Sequence, residues 1–206
     1  MGWKDNVDKD FAKFGDELEE ILKAPEALFN QKMVIAYLRT LEGKMTLIPS
    51  DQPPCLGLLD VGERNPLTVK IEMAFGPPVD STDGDLDIKF TTPQKSYMTV
   101  VMSHVIEHLF NPLFCLMELR DRMVVGGNLI IATPWCSENL KLRFTDGHFH
   151  EIDEKRMGKL LHKAGFEIVN KIYYKRLGGG FHGIRPIIRY FQGKNVIYHC
   201  IKVEKK

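Results

Sequence analysis

Apolar residues first recur at spacings of 4, 3, 4 and 3. Val7, Phe11, Phe14, Leu18 and Ile21 are separated by Asp, Lys and Glu, which predicts an amphipathic helix over 7–23 that Pro25 ends. A second helix is expected over about 26–42, with Leu28, Val34, Ile35, Leu38 and Leu41 on its apolar side. PSDQPP (49–54) is a turn or linker. The pattern then changes. CLGLLDVG (55–62), YMTVVMS (97–103) and NLIIATP (128–134) are short, nearly continuous apolar runs, as in strands buried on both faces. Helices are expected between them. NPLTVKIEMAFG (65–76) has an Asn cap, a Pro at the first helical position and a Gly stop. NPLFCLMELRDRMVVGG (111–127) repeats that punctuation, with Leu116, Leu119 and Met123 on one side.

PPVDSTDGDLDIKF (77–90) is an Asp-rich strand-and-turn region. A last helix spans 153–165, between Asp153 and Gly165. Strands are expected over 166–176 and 195–203, a loop over 177–183 and a short helix over 184–193. Strands alternating with helices predict an α/β fold: a mostly parallel sheet covered on both faces, with an antiparallel C-terminal edge strand. The expected division is a helical cap over 1–48 and one α/β unit over 49–206.

The 206 residues suffice for one core. A net charge of +1 gives no general argument for nucleic acid or an anionic membrane, and no apolar run is long enough to span a bilayer. The N-terminus has no signal core, and Asn6 leaves its Met-Gly start an incomplete acylation pattern. Cys55, Cys115, Cys136 and Cys200 form no C-x-x-C pair and are expected reduced, mostly buried and cytoplasmic.

VVMSHVIEHLFNP (100–112) carries H-x-x-E-H, the order of a zinc hydrolase site built from His104, Glu107 and His108. That chemistry needs both histidines one turn apart on a continuous helix, plus a third ligand, for which His148 and His150 are available. Here a strand runs up to His104, and Asn111-Pro112 starts a new helix, because the residue before proline is pushed out of the α region. A strand-to-helix corner without a metal is the competing expectation.

In open parallel sheets, ligands bind at the carboxyl ends of strands where strand order reverses. At the first such end Gly62 lets the backbone turn closely, and the helix starting at Pro66 aims free N–H groups there, suited to a carboxylate. At the second stand Ser103 and His104. Imidazole exchanges its proton near neutral pH, so His104 is the candidate general base, with a corner residue that contacts the ligand as the competing expectation. Trp135 either walls a pocket or packs. The stretch 178–191, with His182, Arg185, Arg189 and Tyr190, is either a lid over an anionic substrate or a solvated basic surface; its GGG is no phosphate loop.

Four blocks in order resemble class I S-adenosylmethionine-dependent methyltransferases: LLDVG, YMTVVMSHVIEHLFNP, MVVGGNLIIATP and DGHFHEIDEKRMGKLLHKAGFEIV. The resemblance covers about 55–172 and implies the Rossmann-like fold of that family, with S-adenosylmethionine as cofactor and a small-molecule O, N or C nucleophile as acceptor. It implies that Asp60, Gly62 and Glu63 border the methionine part of the cofactor and that Asp80 or Asp83 holds the ribose, with Asp80 preferred. Asp85 and Leu86 would flank the adenine. Ser103 and His104 would line the methyl-donor side, leaving Glu107 and His108 in a structural turn.

The sequence departs from the family where Arg64 and Pro66 replace the second and third glycines of the first motif. Arg64 is expected to crowd the methionine or to contact its carboxylate. The chain from Gly62 to Asp85 is also shorter than is usual in the family, so one strand or helix is expected to be missing or collapsed. A methyltransferase-like module that has lost its cofactor is the main alternative function, and the zinc hydrolase is the third.

Overall fold

The computed structural model describes residues 26–41, 57–75, 79–93, 96–135, 149, 152–175 and 194–204. The expected helices over 7–23 and 184–193, the loop over 177–183, and Cys55, Cys136, His148, His150, His182, Arg185, Arg189 and Tyr190 lie outside these residues.

The described elements run α1 (Glu26–Leu41), β1 (Gly57–Asp60), α2 (Pro66–Phe75), β2 (Val79–Ser81), β3 (Asp83–Asp85), β4 (Lys89–Thr91), β5 (Tyr97–Ser103), a 3-10 turn (Ile106–His108), α3 (Pro112–Asp121), β6 (Met123–Pro134), α4 (Glu154–Ala164), β7 (Phe166–Lys175) and β8 (Lys194–Lys202). Six strands form one sheet in the order β2-β1-β5-β6-β8-β7, and β3 and β4 form a separate hairpin. The pairs β2–β1, β1–β5 and β5–β6 are parallel. β8 lies antiparallel between β6 and β7, with β7 outermost. The mixed, mostly parallel sheet with an antiparallel pair at one end is the architecture expected from the sequence, but the C-terminal strand β8, expected at the edge, lies one place in, and β7 takes the edge.

The buried runs form strands because alternate residues face two different helical layers. Leu59, Val100, Met102, Leu129 and Ile131 pack against Cys115, Leu116 and Leu119 of α3 and Met157, Leu161 and Ala164 of α4. Val101, Ile130, Ala132 and Ile197 pack against Phe29, Met33, Val34, Tyr37 and Leu38 of α1 and Leu67 and Ile71 of α2. Each fully buried Leu or Ile contributes about 1.5–3 kcal/mol. Both layers are therefore needed to offset the chain entropy.

Local punctuation works as expected at three helix starts. Asn65 Oδ1 accepts from the Leu67 amide (2.8 Å), Asn111 Oδ1 from Phe114 (3.2 Å) and Asp153 Oδ1 from Arg156 (2.9 Å). Gly165 ends α4 in the left-handed region with φ 91. The helix expected over 111–127 is shorter: it stops at Asp121, and Met123 already belongs to β6. Gly126 and Gly127 do not stop the helix. Gly126 has φ 76, and a Cβ on Gly127 would meet the Val124 carbonyl oxygen at 2.9 Å. The glycines form a bulge where the β5–β6 register slips between Tyr97 and Thr99. Between Gly62 and Asp85 the expected economy appears as β2 passing straight into β3, with only Thr82 between them.

Candidate functional site

From β1 the chain crosses through α2 to β2 on one side, then returns to β5 on the other side of β1. The order reverses between β1 and β5, so their carboxyl ends frame a crevice. Val61 continues the ladder by donating to the Val101 carbonyl (2.8 Å). Gly62 follows with φ 118, a conformation other residues rarely adopt, and a Cβ there would meet nothing within 4 Å. Its amide donates to Thr82 Oγ1 (2.8 Å), and its carbonyl accepts from the Thr82 amide (3.2 Å). The backbone thus turns around open space and is pinned on the β2 side.

Asp60 is 2% exposed and faces α2. Its Oδ2 accepts from Thr68 Oγ1 (2.6 Å) and Asn65 Nδ2 (3.2 Å). Burial pushes its carboxyl up to about 6, although both hydrogen bonds oppose that. Glu63 is exposed at the rim. Arg64 neither enters the crevice nor waits there for a carboxylate: it forks onto Glu72 in the second turn of α2. The start of α2 offers fewer free donors than expected. The Leu67 amide is taken by Asn65 Oδ1 and the Val69 amide by the Asn65 carbonyl.

On β2, Asp80 is half-buried, and the Tyr97 hydroxyl donates to its Oδ2 (2.8 Å). Asp83 and Asp85 are exposed in the β3–β4 hairpin, where Asp85 Oδ1 accepts from the Asp87 amide (2.8 Å). Leu86 packs against the core. Asp87 Oδ1 accepts from the Asn111 amide (2.6 Å), tying the hairpin to the corner that follows β5. The fold therefore brings Gly62, Ser103 and His104 to neighbouring strand ends, while Leu86 packs on the core from the hairpin. Asp60 is turned aside onto α2, and Asp80 sits within its strand.

His104 has φ 54, in the left-handed region, and its amide donates to the Ala132 carbonyl (2.7 Å). The zinc geometry does not form, because the residues after it make one 3-10 turn and no continuous α-helix joins His104 to His108. His104 Nδ1 instead meets Glu107 Oε1 at 3.2 Å, while Glu107 Oε2 accepts from Thr133 Oγ1 (3.1 Å). Glu107 is 2% exposed. Burial pushes its carboxyl up, but the hydrogen bond from His104, with the smaller contributions of the turn's backbone and neighbouring side chains, outweighs this and holds it below the ordinary range. Sequence reasoning placed Glu107 in a structural turn. The i, i+3 spacing to His104 was visible, but Thr133 lies 26 residues away and only the β5–β6 pairing brings it close.

Ser81 Oγ and His104 Nε2 are buried with no hydrogen-bond partner among the described residues. Trp135 stands at the end of β6, where its indole donates to Glu154 Oε1 (2.8 Å) and Lys194 Nζ lies 5.0 Å from its ring centre. Trp135 packs against the core and is thus fastened to the start of α4.

A family model described as a methyltransferase domain matches residues 47–171. No curated protein matches the chain by sequence. Among solved structures, the S-adenosylmethionine-dependent methyltransferase from Archaeoglobus fulgidus is similar at TM-score 0.53 and 14% identity, covering 84% of this chain and 94% of that one. The S-adenosylmethionine-dependent methyltransferase from Mesorhizobium loti is similar at TM-score 0.52 and 11% identity, with 84% and 100% covered. The [4+2]-cyclase SpnF is similar at TM-score 0.52 and 16% identity, with 82% and 80% covered. At these identities the likeness is one of fold.

Proposed function

The chain belongs to the methyltransferase domain family, whose methyl donor is S-adenosylmethionine, and on that premise we propose that its acceptor is an O, N or C nucleophile on a small molecule. The observation that carries this reading is the open space at Gly62 beside Ser103 and His104, at the sheet's point of reversal. The surroundings fit the cofactor. A Cβ at Gly62 would fill the approach, and Ser81 Oγ and His104 Nε2 are buried polar atoms without a partner among the described residues.

Under this proposal Asp60, Gly62 and Glu63 border the methionine part. Asp60 borders it from the α2 side, where Thr68 and Asn65 hold its Oδ2. Asp80, aimed by Tyr97, holds the ribose in preference to the exposed Asp83. Asp85 and Leu86 flank the adenine. When bound, the cofactor supplies an electrophilic methyl group and leaves as S-adenosylhomocysteine. The protein's part is to hold the acceptor in line with that methyl and, through His104, to receive its proton.

The division at residue 48 belongs to the same proposal. Its described part, α1, packs on the sheet beside α2. A cytoplasmic setting is supported by the buried, unpaired Cys115 and Cys200. Among the described residues no helix is long and apolar enough to cross a membrane.

S-adenosylhomocysteine is expected to raise the melting temperature, since a ligand at a hundred times its Kd adds about 2.7 kcal/mol of stability. No shift at millimolar ligand would overturn the reading in favour of a module without cofactor. A panel of small phenols, amines, carboxylic acids and carbon acids, followed by S-adenosylhomocysteine release, then identifies the acceptor class.

A further inference from the structure

We propose that Glu107 is a positioning residue that sets His104 as the proton acceptor of the reaction, and that the acceptor substrate is therefore a weakly acidic O–H or N–H compound. This rests on the methyltransferase reading above.

Three observations carry it. First, Glu107 is buried under an apolar corner, beside Ile106 and Leu109, where an unpaired carboxylate would cost several kcal/mol. Both of its oxygens are engaged, one by His104 from the end of β5 and the other by Thr133 from β6. Second, His104 is the one non-glycine residue with positive φ among the described residues. A left-handed conformation costs about 1–2 kcal/mol. It is held by the 2.7 Å bond from its amide to Ala132, so the ring's placement does not rest on the side chain alone. Third, Nε2 is shielded from solvent yet has no partner among the described residues. Buried imidazole nitrogens are normally satisfied, so this one is open to a group from outside the described residues, a place the acceptor substrate would take.

An ionised carboxylate only accepts hydrogen bonds, so Glu107 keeps the imidazole proton on Nδ1 and the lone pair on Nε2. In the transfer, the acceptor's O–H or N–H bond breaks and its proton passes to Nε2. The freed electron pair forms the bond to the methyl carbon, and the carbon–sulfur pair returns to sulfur. One positive charge thus leaves sulfonium and appears on imidazolium, 3.2 Å from the Glu107 carboxylate that stabilises it. A carboxylate acceptor is already ionised and has no use for this arrangement.

The test uses the full chain labelled with 15N-histidine, alone and with S-adenosylhomocysteine. The wild type is expected to show His104 as the Nδ1–H tautomer. Glu107→Leu should lose that preference, and Glu107→Gln, which keeps an acceptor oxygen, should restore it. With a phenol or amine acceptor from the panel, Glu107→Gln should lower kcat at least tenfold, while the Kd for S-adenosylhomocysteine stays within about threefold. A wild-type spectrum with the proton on Nε2 overturns the proposal, and so does an unchanged spectrum for Glu107→Leu. The wild-type tautomer decides even where Glu107→Leu does not fold. Failure of S-adenosylhomocysteine to bind the wild type would instead sink the methyltransferase reading, and the tautomer could still be read.

Discussion

Arg64 stands where the family's first motif has a second glycine, and Glu72, eight residues further on, draws it out of the crevice through two hydrogen bonds, the longer 2.9 Å. Glu72 also accepts from the Val79 amide (3.1 Å), so the pair ties α2 to the start of β2. The guanidinium is solvated and screened, and it lies away from the open space at Gly62. Arg64→Ala is expected to leave S-adenosylhomocysteine affinity within about twofold and the melting temperature nearly unchanged. Calorimetric titration checks this. A large loss of affinity would mean that Arg64 swings inward to meet the ligand.

Gly62 carries the opposite expectation. Gly62→Val finds open space at its Cβ, since nothing lies within 4 Å, but it must adopt φ 118. Backbone strain should cost about 1–3 kcal/mol, visible in urea unfolding with the circular dichroism spectrum preserved. The branched side chain would occupy the open space, so the melting shift with S-adenosylhomocysteine should disappear.

Asp60 and His199 oppose each other in the pH dependence of stability. Asp60 rises from 3.8 to about 6 on folding, so the folded state holds more protons between those values. Its contribution is present below pH 3.8 and lost as pH rises through 6. His199 is lowered by burial from 6.5 to about 4. Its neutral ring donates through Nε2 to Asn128 Oδ1 (2.8 Å) and accepts at Nδ1 from the Tyr37 hydroxyl (3.1 Å). There the unfolded chain holds the extra proton, so stability is lost as pH falls from 6.5 toward 4. Urea midpoints of the wild type should change little from these two groups between pH 4.5 and 6. Asp60→Asn should unmask a rise with pH of up to about 1.4 kcal/mol per unit, the slope of one proton, reduced by the solvent contact the His199 ring retains. His199→Gln should unmask the reverse slope.

Asn65 joins the cap of α2 to the buried acid. Asn65→Ala removes the acceptor for the Leu67 amide and a donor to Asp60. A loss of about 0.5–2 kcal/mol is expected, measured by chemical denaturation. Loss of the Asn65 donor should also move the Asp60 protonation midpoint further up, which a pH titration of Asn65→Ala followed by carboxyl NMR would show.

Features that depend on near neighbours are legible in the sequence. YMTVVMS forms a strand with the expected ends, and Asn65, Asn111, Asp153 and Gly165 bound their helices as expected, because capping and strand propensity act over a few residues. The order of β1, α2 and β5 was enough to place Gly62 beside Ser103 and His104. Only the tertiary structure decided where the polar side chains turn. Gly126 and Gly127 became a bulge because β6 continues back to Met123 against Tyr97. Asp60 faces Thr68, Asp80 meets Tyr97, and Glu107 is shared between His104 and Thr133. The bond of His199 to Tyr37 spans 162 residues. A buried polar group takes whichever partner the sheet order brings within about 3 Å. Residues far apart along the chain become neighbours only once that order is set.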